Sequence, residues 1–333
     1  MLFRQTLMSQ FAIRNFPSTR RSRRSGPWPI AIETLEVRKY LSATMTVVND
    51  GRTLHVVGDS SDNSIEIVQD ERGVHIAVDQ MLALNFTGIE SIVVQTGYGN
   101  DDVRVIYGFN PQPDPPGDQL RALNLRVSLG SGNDSFSADL EAGTQSILMG
   151  IDAGIGNDVV TMRTVVDPND RPESVVDPNV YNMKLYANLG NGDDTFQGNL
   201  LFTSDPCHLV VMGGGGADNI NALIGLLSKA TPEGDASGAL DMLFDGGSGN
   251  DQFNLKLDLA SGDLNPPSEN DPASLLVQPV RLAVLGGDGN DQLSLSVRNL
   301  AQLDSLFETR LDGGAGLDTS VLMPDLDASG WTK

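Results

Sequence analysis

The chain has 333 residues, 39% apolar and 5% aromatic, with a formal net charge of −22 and one cysteine. Residues 1–40 hold eight basic and two acidic side chains, so 41–333 hold 14 basic against 42 acidic, a net of −28. Such a body can bury a core, forms no intrachain disulfide, excludes nucleic acid and anionic lipid as ordinary partners and suits cations.

In chain order, residues 1–32 come first, with six arginines and no acidic residue. This composition predicts a basic targeting segment over 1–43, with a disordered basic arm as its rival, separate from a folded body over 44–333. No apolar run reaches the roughly 18–20 residues of a membrane span. Near the end of the segment stands IETLEVRKYLSA, 32–43.

From residue 58 a glycine-rich loop recurs. Aligned on their aspartates, eight copies centre on Asp101, Asp134, Asp158, Asp194, Asp218, Asp251, Asp291 and Asp318, 24 to 40 residues apart. The glycines are Gly97 and Gly99, Gly130 and Gly132, Gly154 and Gly156, and Gly190 and Gly192 in the first four. They are Gly213, Gly214 and Gly216, Gly246, Gly247 and Gly249, Gly286, Gly287 and Gly289, and Gly313, Gly314 and Gly316 in the last four. In the first four, Thr96, Leu129, Ala153 and Leu189 stand where the later copies have their first glycine. A worn ninth copy, GDSSDN, carries Asn63 in the aspartate position.

Each loop is preceded by an alternating run such as LNLRVSL, MKLYANL or VRLAVL, and most are followed by another, such as SFSADL or QFNLKLDL. Period-2 alternation marks half-buried strands. Each unit therefore reads strand, glycine turn, strand, return. The returns carry the prolines at 110–118, 167–179 and 261–274, as surface insertions. Such a unit cannot bury its apolar face alone, whereas stacked units can, with turns in a row about 4.8 Å apart. The expected fold is all-β, a parallel β-solenoid of β-roll type. Its rival is a series of antiparallel hairpins, since Asn-Asp and Gly-Asp also suit tight turns.

A glycine turn can aim successive carbonyl oxygens inward, and the aspartate adds a charged oxygen. Calcium takes six to eight hard oxygens, more than one loop supplies, so a second stacked loop completes the shell. The pattern resembles the hemolysin-type, or repeats-in-toxin, calcium-binding family, G-G-x-G-x-D-x-U-x. The apolar U is Val103, Phe136, Val160, Phe196, Ile220, Phe253 and Leu293, and the last copy has Ser320 there. The resemblance implies calcium as the bound ion, with the loop glycines and aspartates as the metal site. Family members repeat the nonapeptide in tandem. Here each copy stands alone, which allows at most one calcium row.

The 32–43 stretch resembles the LEPR-XLL motif of exported proteins of planctomycete-type bacteria. Leu35, Glu36, Arg38, Leu41, Ser42 and Ala43 match, while Val37 and Tyr40 depart. This resemblance implies export, an extracellular or cell-surface location, and partners among surface or matrix components.

Nothing indicates an enzyme. His55, His75 and His208 show no triad or metal spacing, and Cys207 on an alternating strand reads as a small buried hydrophobe. Trp28 and Trp331 lie outside the repeats, away from any polysaccharide-cleaving groove. The rival readings are a solenoid whose turns bind no metal and a polysaccharide-acting solenoid enzyme.

Overall fold

The computed structural model describes residues 43–324, except 49–51, 71, 80–81, 109–121, 142–145, 166–182, 203–206, 227–238, 259–278 and 299–306. The basic segment, Ala43 apart, and the three proline-rich returns lie outside the described residues.

Every regular element among the described residues is a strand. Five precede the full repeats: β1 (Ala43–Val48), β2 (Thr53–Gly58), β3 (Ser64–Asp70), β4 (Gly73–Val78) and β5 (Leu82–Phe86). Eight pairs follow, one on each side of every glycine loop. They are β6 (Ser91–Tyr98) and β7 (Asp102–Tyr107), β8 (Leu123–Ser131) and β9 (Ser135–Glu141), β10 (Ile147–Ile155) and β11 (Val159–Val165), and β12 (Met183–Asn191) and β13 (Thr195–Phe202). The C-terminal four pairs are β14 (Cys207–Gly215) and β15 (Asn219–Leu226), β16 (Leu240–Ser248) and β17 (Gln252–Asp258), β18 (Val280–Asp288) and β19 (Gln292–Arg298), and β20 (Phe307–Ala315) and β21 (Thr319–Pro324).

The strand before each loop joins one ten-stranded sheet, and the strand after it joins an eleven-stranded sheet. Within each sheet the repeat strands are parallel and stand in repeat order. The hairpin rival is thereby excluded for the repeats. Parallel neighbours need a long connection, and here that connection is the partner strand plus the return. The register holds the loops in line: Gly97 pairs with Gly130, Gly130 with Gly154, Gly190 with Gly214, Gly214 with Gly247, Gly247 with Gly287 and Gly287 with Gly314.

Alternation sends one face of each sheet into a shared core. Leu123, Leu125 and Val127 enter from β8, and Phe136, Ala138 and Leu140 from β9, all at most 3% exposed. Fully burying such a side chain contributes about 1.5–3 kcal/mol. The U residues Val103, Phe136, Val160, Phe196, Ile220, Phe253 and Leu293 are all buried there.

The two ends differ. At the N-terminal end β1 pairs antiparallel with β2, and β4 and β5 extend β3 as an antiparallel meander. From sequence, only the worn loop at Asn63 was assigned in this region, and neither these strands nor their reversal of direction. At the other end β20 and β21 are edges, with Val321, Leu322 and Met323 about half exposed.

Candidate functional site

The loops form a continuous stack, and close backbone approach explains two of their glycine rows. Gly130 has φ +103° and Gly132 has φ +138°, values that side-chain-bearing residues rarely adopt. A Cβ on Gly130 would stand 2.1 Å from the Gly97 carbonyl oxygen, and one on Gly132 would stand 1.7 Å from that of Gly99. The equivalent glycines of the other loops repeat this geometry, so each turn sits directly against the backbone of its neighbour.

The aspartates are buried in this stack. Asp101, Asp134, Asp158, Asp194, Asp218, Asp251 and Asp291 are 1–2% exposed, and Asn63 joins the row at 2%. Each Oδ1 accepts the N–H of the aspartate, or Asn63, one repeat earlier, at 2.7–2.9 Å for these seven and 3.0 Å for Asp318. The second oxygen, Oδ2, has no hydrogen-bond partner in any of the seven buried carboxylates. Burial pushes Asp194 up to about 7 and Asp134, Asp218 and Asp251 up to about 6, and it raises Asp101 and Asp158. The accepted N–H opposes this shift. Neighbouring carboxylates reinforce it at Asp134, Asp194, Asp218 and Asp251.

The residue before each aspartate builds a second ladder that sequence reasoning did not assign. Its donors run the opposite way. The Asn133 N–H donates to Asn100 Oδ1, Asn157 to Asn133, Asp193 to Asn157, Asn290 to Asn250 and Leu317 to Asn290, at 2.8–3.0 Å. Asp62 starts the row by accepting from Asn100, and Asp193 accepts from Ala217, whose methyl offers nothing to Asn250. The recurring G-N-D was the available signal: asparagine is compatible with a turn and also offers an amide oxygen one repeat away.

The first loop position divides the stack. At Gly213 a Cβ would meet Asp218 Oδ2 at 2.3 Å and the Gly246 carbonyl oxygen at 2.5 Å. At Gly246 it would meet Asp251 Oδ2 at 2.3 Å and Gly286 O at 2.6 Å, and at Gly286 it would meet Asp291 Oδ2 at 2.4 Å and Gly313 O at 2.3 Å. An unpartnered carboxylate oxygen and a carbonyl oxygen of the next loop thus both pack against the bare Cα, where no side chain fits. In the earlier loops the aligned Leu129, Ala153 and Leu189 are fully buried side chains, and the Thr96 hydroxyl donates to the Leu129 carbonyl.

Hard oxygens with one formal charge per loop are donors of the type calcium takes. The C-terminal loops fit in donor chemistry: Asp218, Asp251 and Asp291 through Oδ2, with Gly246, Gly286 and Gly313 through their carbonyls. Among the described residues no group of three or more His, Cys, Asp or Glu side chains is placed to hold a metal. Backbone carbonyls and water must therefore complete any shell. Comparison with protein-family models, curated proteins and solved structures finds no match.

Cys207 is buried, and its neighbour His208 lies on the outer face, with Nδ1 3.5 Å from Asp241 Oδ2. The two point to opposite sides of one sheet and form no joint metal site. Among the described residues no helix is long and apolar enough to cross a membrane.

Proposed function

We propose that this chain is an exported, non-enzymatic, calcium-binding β-solenoid with a structural or adhesive role at a bacterial surface. Calcium ions are held in one row between stacked glycine-aspartate turns. The observation that carries this reading is the row of buried carboxylates whose Oδ2 atoms have no partner. A buried anionic oxygen without a hydrogen bond is costly, and a cation or a proton relieves it. Calcium would supply the positive charge and join adjacent loops. The chain's residues orient the carboxylates through the Oδ1 ladder and exclude bulk water from them. The export and surface role rest on the 32–43 motif and the acidic body.

One observation favours a second reading, a solenoid whose turns bind no metal. Every Oδ1 of the row already braces the stack, so the aspartates have a structural use without any ion.

Asp251→Asn separates the two readings. Asparagine keeps an oxygen to accept the Asp218 N–H in the ladder, but it replaces Oδ2 by an amide. Calorimetric titration of the full chain with calcium should show about one equivalent lost in this variant, with the fold retained. No calcium binding by the parent, or unchanged stoichiometry in the variant, leaves the turns as braces only.

A further inference from the structure

On the outer face of the ten-stranded sheet, Gly150 occupies the middle of β10 for no evident backbone reason. Its φ is not positive, and a Cβ there would meet nothing within 4 Å. Glycine in a strand interior weakens the strand and often marks the close approach of a ligand. Register places Arg126 directly beside it on β8 and Tyr186 directly beside it on β12. Along β10 itself, Leu148 and Asp152 are the outward residues on either side. The result is an open concavity of ≈ 420 Å³ with Gly150 in its floor. Small-ligand sites run from about 300 to 1,000 Å³.

The four walls have distinct chemistry. Tyr186 and Leu148, each 40% exposed, are the apolar pair. Arg126 and Asp152 are the polar pair, of opposite sign. Asn188 Nδ2 donates to Asp152 Oδ1 at 3.0 Å, which steadies that carboxylate and leaves its other oxygen outside this bond. Arg126 is in none of the ion pairs that hold Arg52, Arg104, Arg163, Arg281, Arg298 and Arg310.

We propose that the Gly150 concavity binds one ring of a neutral saccharide. A sugar ring has an apolar face suited to Tyr186 and Leu148, and it has hydroxyls that both accept from a guanidinium and donate to a carboxylate. A polyanionic glycan is disfavoured by the net −28 of residues 41–333. Because the concavity is open, the ring can be an internal unit of a longer chain. The proposal does not depend on calcium.

The test is affinity electrophoresis and calorimetry of the full chain with neutral glucans, xylan and mannan, with alginate as the anionic comparison, each with and without calcium. At least one neutral glycan should bind in both conditions. Gly150→Leu should weaken that binding at least tenfold while its melting temperature stays equal or rises, because the added side chain has room. Tyr186→Ala should weaken it at least tenfold as well, and it decides the matter if Gly150→Leu folds poorly. The proposal is overturned if no neutral glycan binds, if alginate alone binds, or if both variants bind as the parent does. Binding that appears only with calcium would also overturn it, without touching the calcium reading.

Discussion

The loops from Leu129 to Asp194 and the loops from Gly213 to Asp318 share one backbone and differ in what stands beside the carboxylate. Both regions use positive-φ glycines pressed against the previous turn, and both run the Oδ1 ladder. In the earlier region, Leu129, Ala153 and Leu189 put apolar side chains at the first loop position. In the later one, bare glycine lets Oδ2 and a carbonyl oxygen of the next loop pack against its Cα. The difference separates two properties that a single motif merges. Stacking needs the second and fourth positions, whereas close approach of both oxygens needs glycine at the first.

The largest expected effect tests what the regions share. Gly132→Ala and Gly249→Ala should each cost about 4 kcal/mol or more in denaturant melts, at the severe end for single substitutions. Each combines a disfavoured φ with a Cβ 1.7 Å from a backbone oxygen. A mild effect in one region alone would show that the stack is not uniform.

The next test exchanges what differs. Leu189→Gly should cost about 2–5 kcal/mol from lost core volume, but it should add a calcium-dependent rise in melting temperature. Gly246→Leu should remove part of the parent's calcium response, because its Cβ meets Asp251 Oδ2 and Gly286 O. Equal calcium responses in parent and both variants would dissolve the comparison.

Titration gives a smaller effect. A proton held more tightly in the folded state makes the folded chain the better proton binder, so stability falls as pH rises. Without calcium, the contribution of Asp134, Asp194, Asp218 and Asp251 should be full below about pH 4 and lost as pH passes about 6 to 7. Asp194→Asn should therefore stabilise the calcium-free protein at pH 8 by on the order of 1 kcal/mol, with little gain at pH 4. Millimolar calcium should offset the alkaline loss for the Asp218 and Asp251 loops and leave that of Asp134 and Asp194. Thermal melts at pH 4, 6 and 8, with calcium or with magnesium, read this directly.

The smallest effect concerns the break in the second ladder. Ala217→Asn should supply the amide oxygen missing below the Asn250 N–H and stabilise by about 0.5 kcal/mol, the low end for an exposed hydrogen bond. A loss instead would mean that the alanine relieves crowding there.

Much of this was legible in the chain itself. A loop recurring with alternating runs around it specified strands, turns and a stack, because period-2 burial and glycine-dependent turns are local properties. The buried U residues from Val103 to Leu293 follow from that alternation alone. The glycine and aspartate positions were legible too, since all eight loops align in register. Which way each carboxylate oxygen faces was not. That depends on the neighbouring turn, 24 to 40 residues away in sequence, whose N–H takes Oδ1 and leaves Oδ2 unpaired. The antiparallel strands β4 and β5 were likewise hidden, because alternation reports burial and carries no strand direction. Tertiary structure alone set Arg126, Gly150 and Tyr186 side by side, because return loops of unequal length erase any sequence period between them while the ladder register restores it.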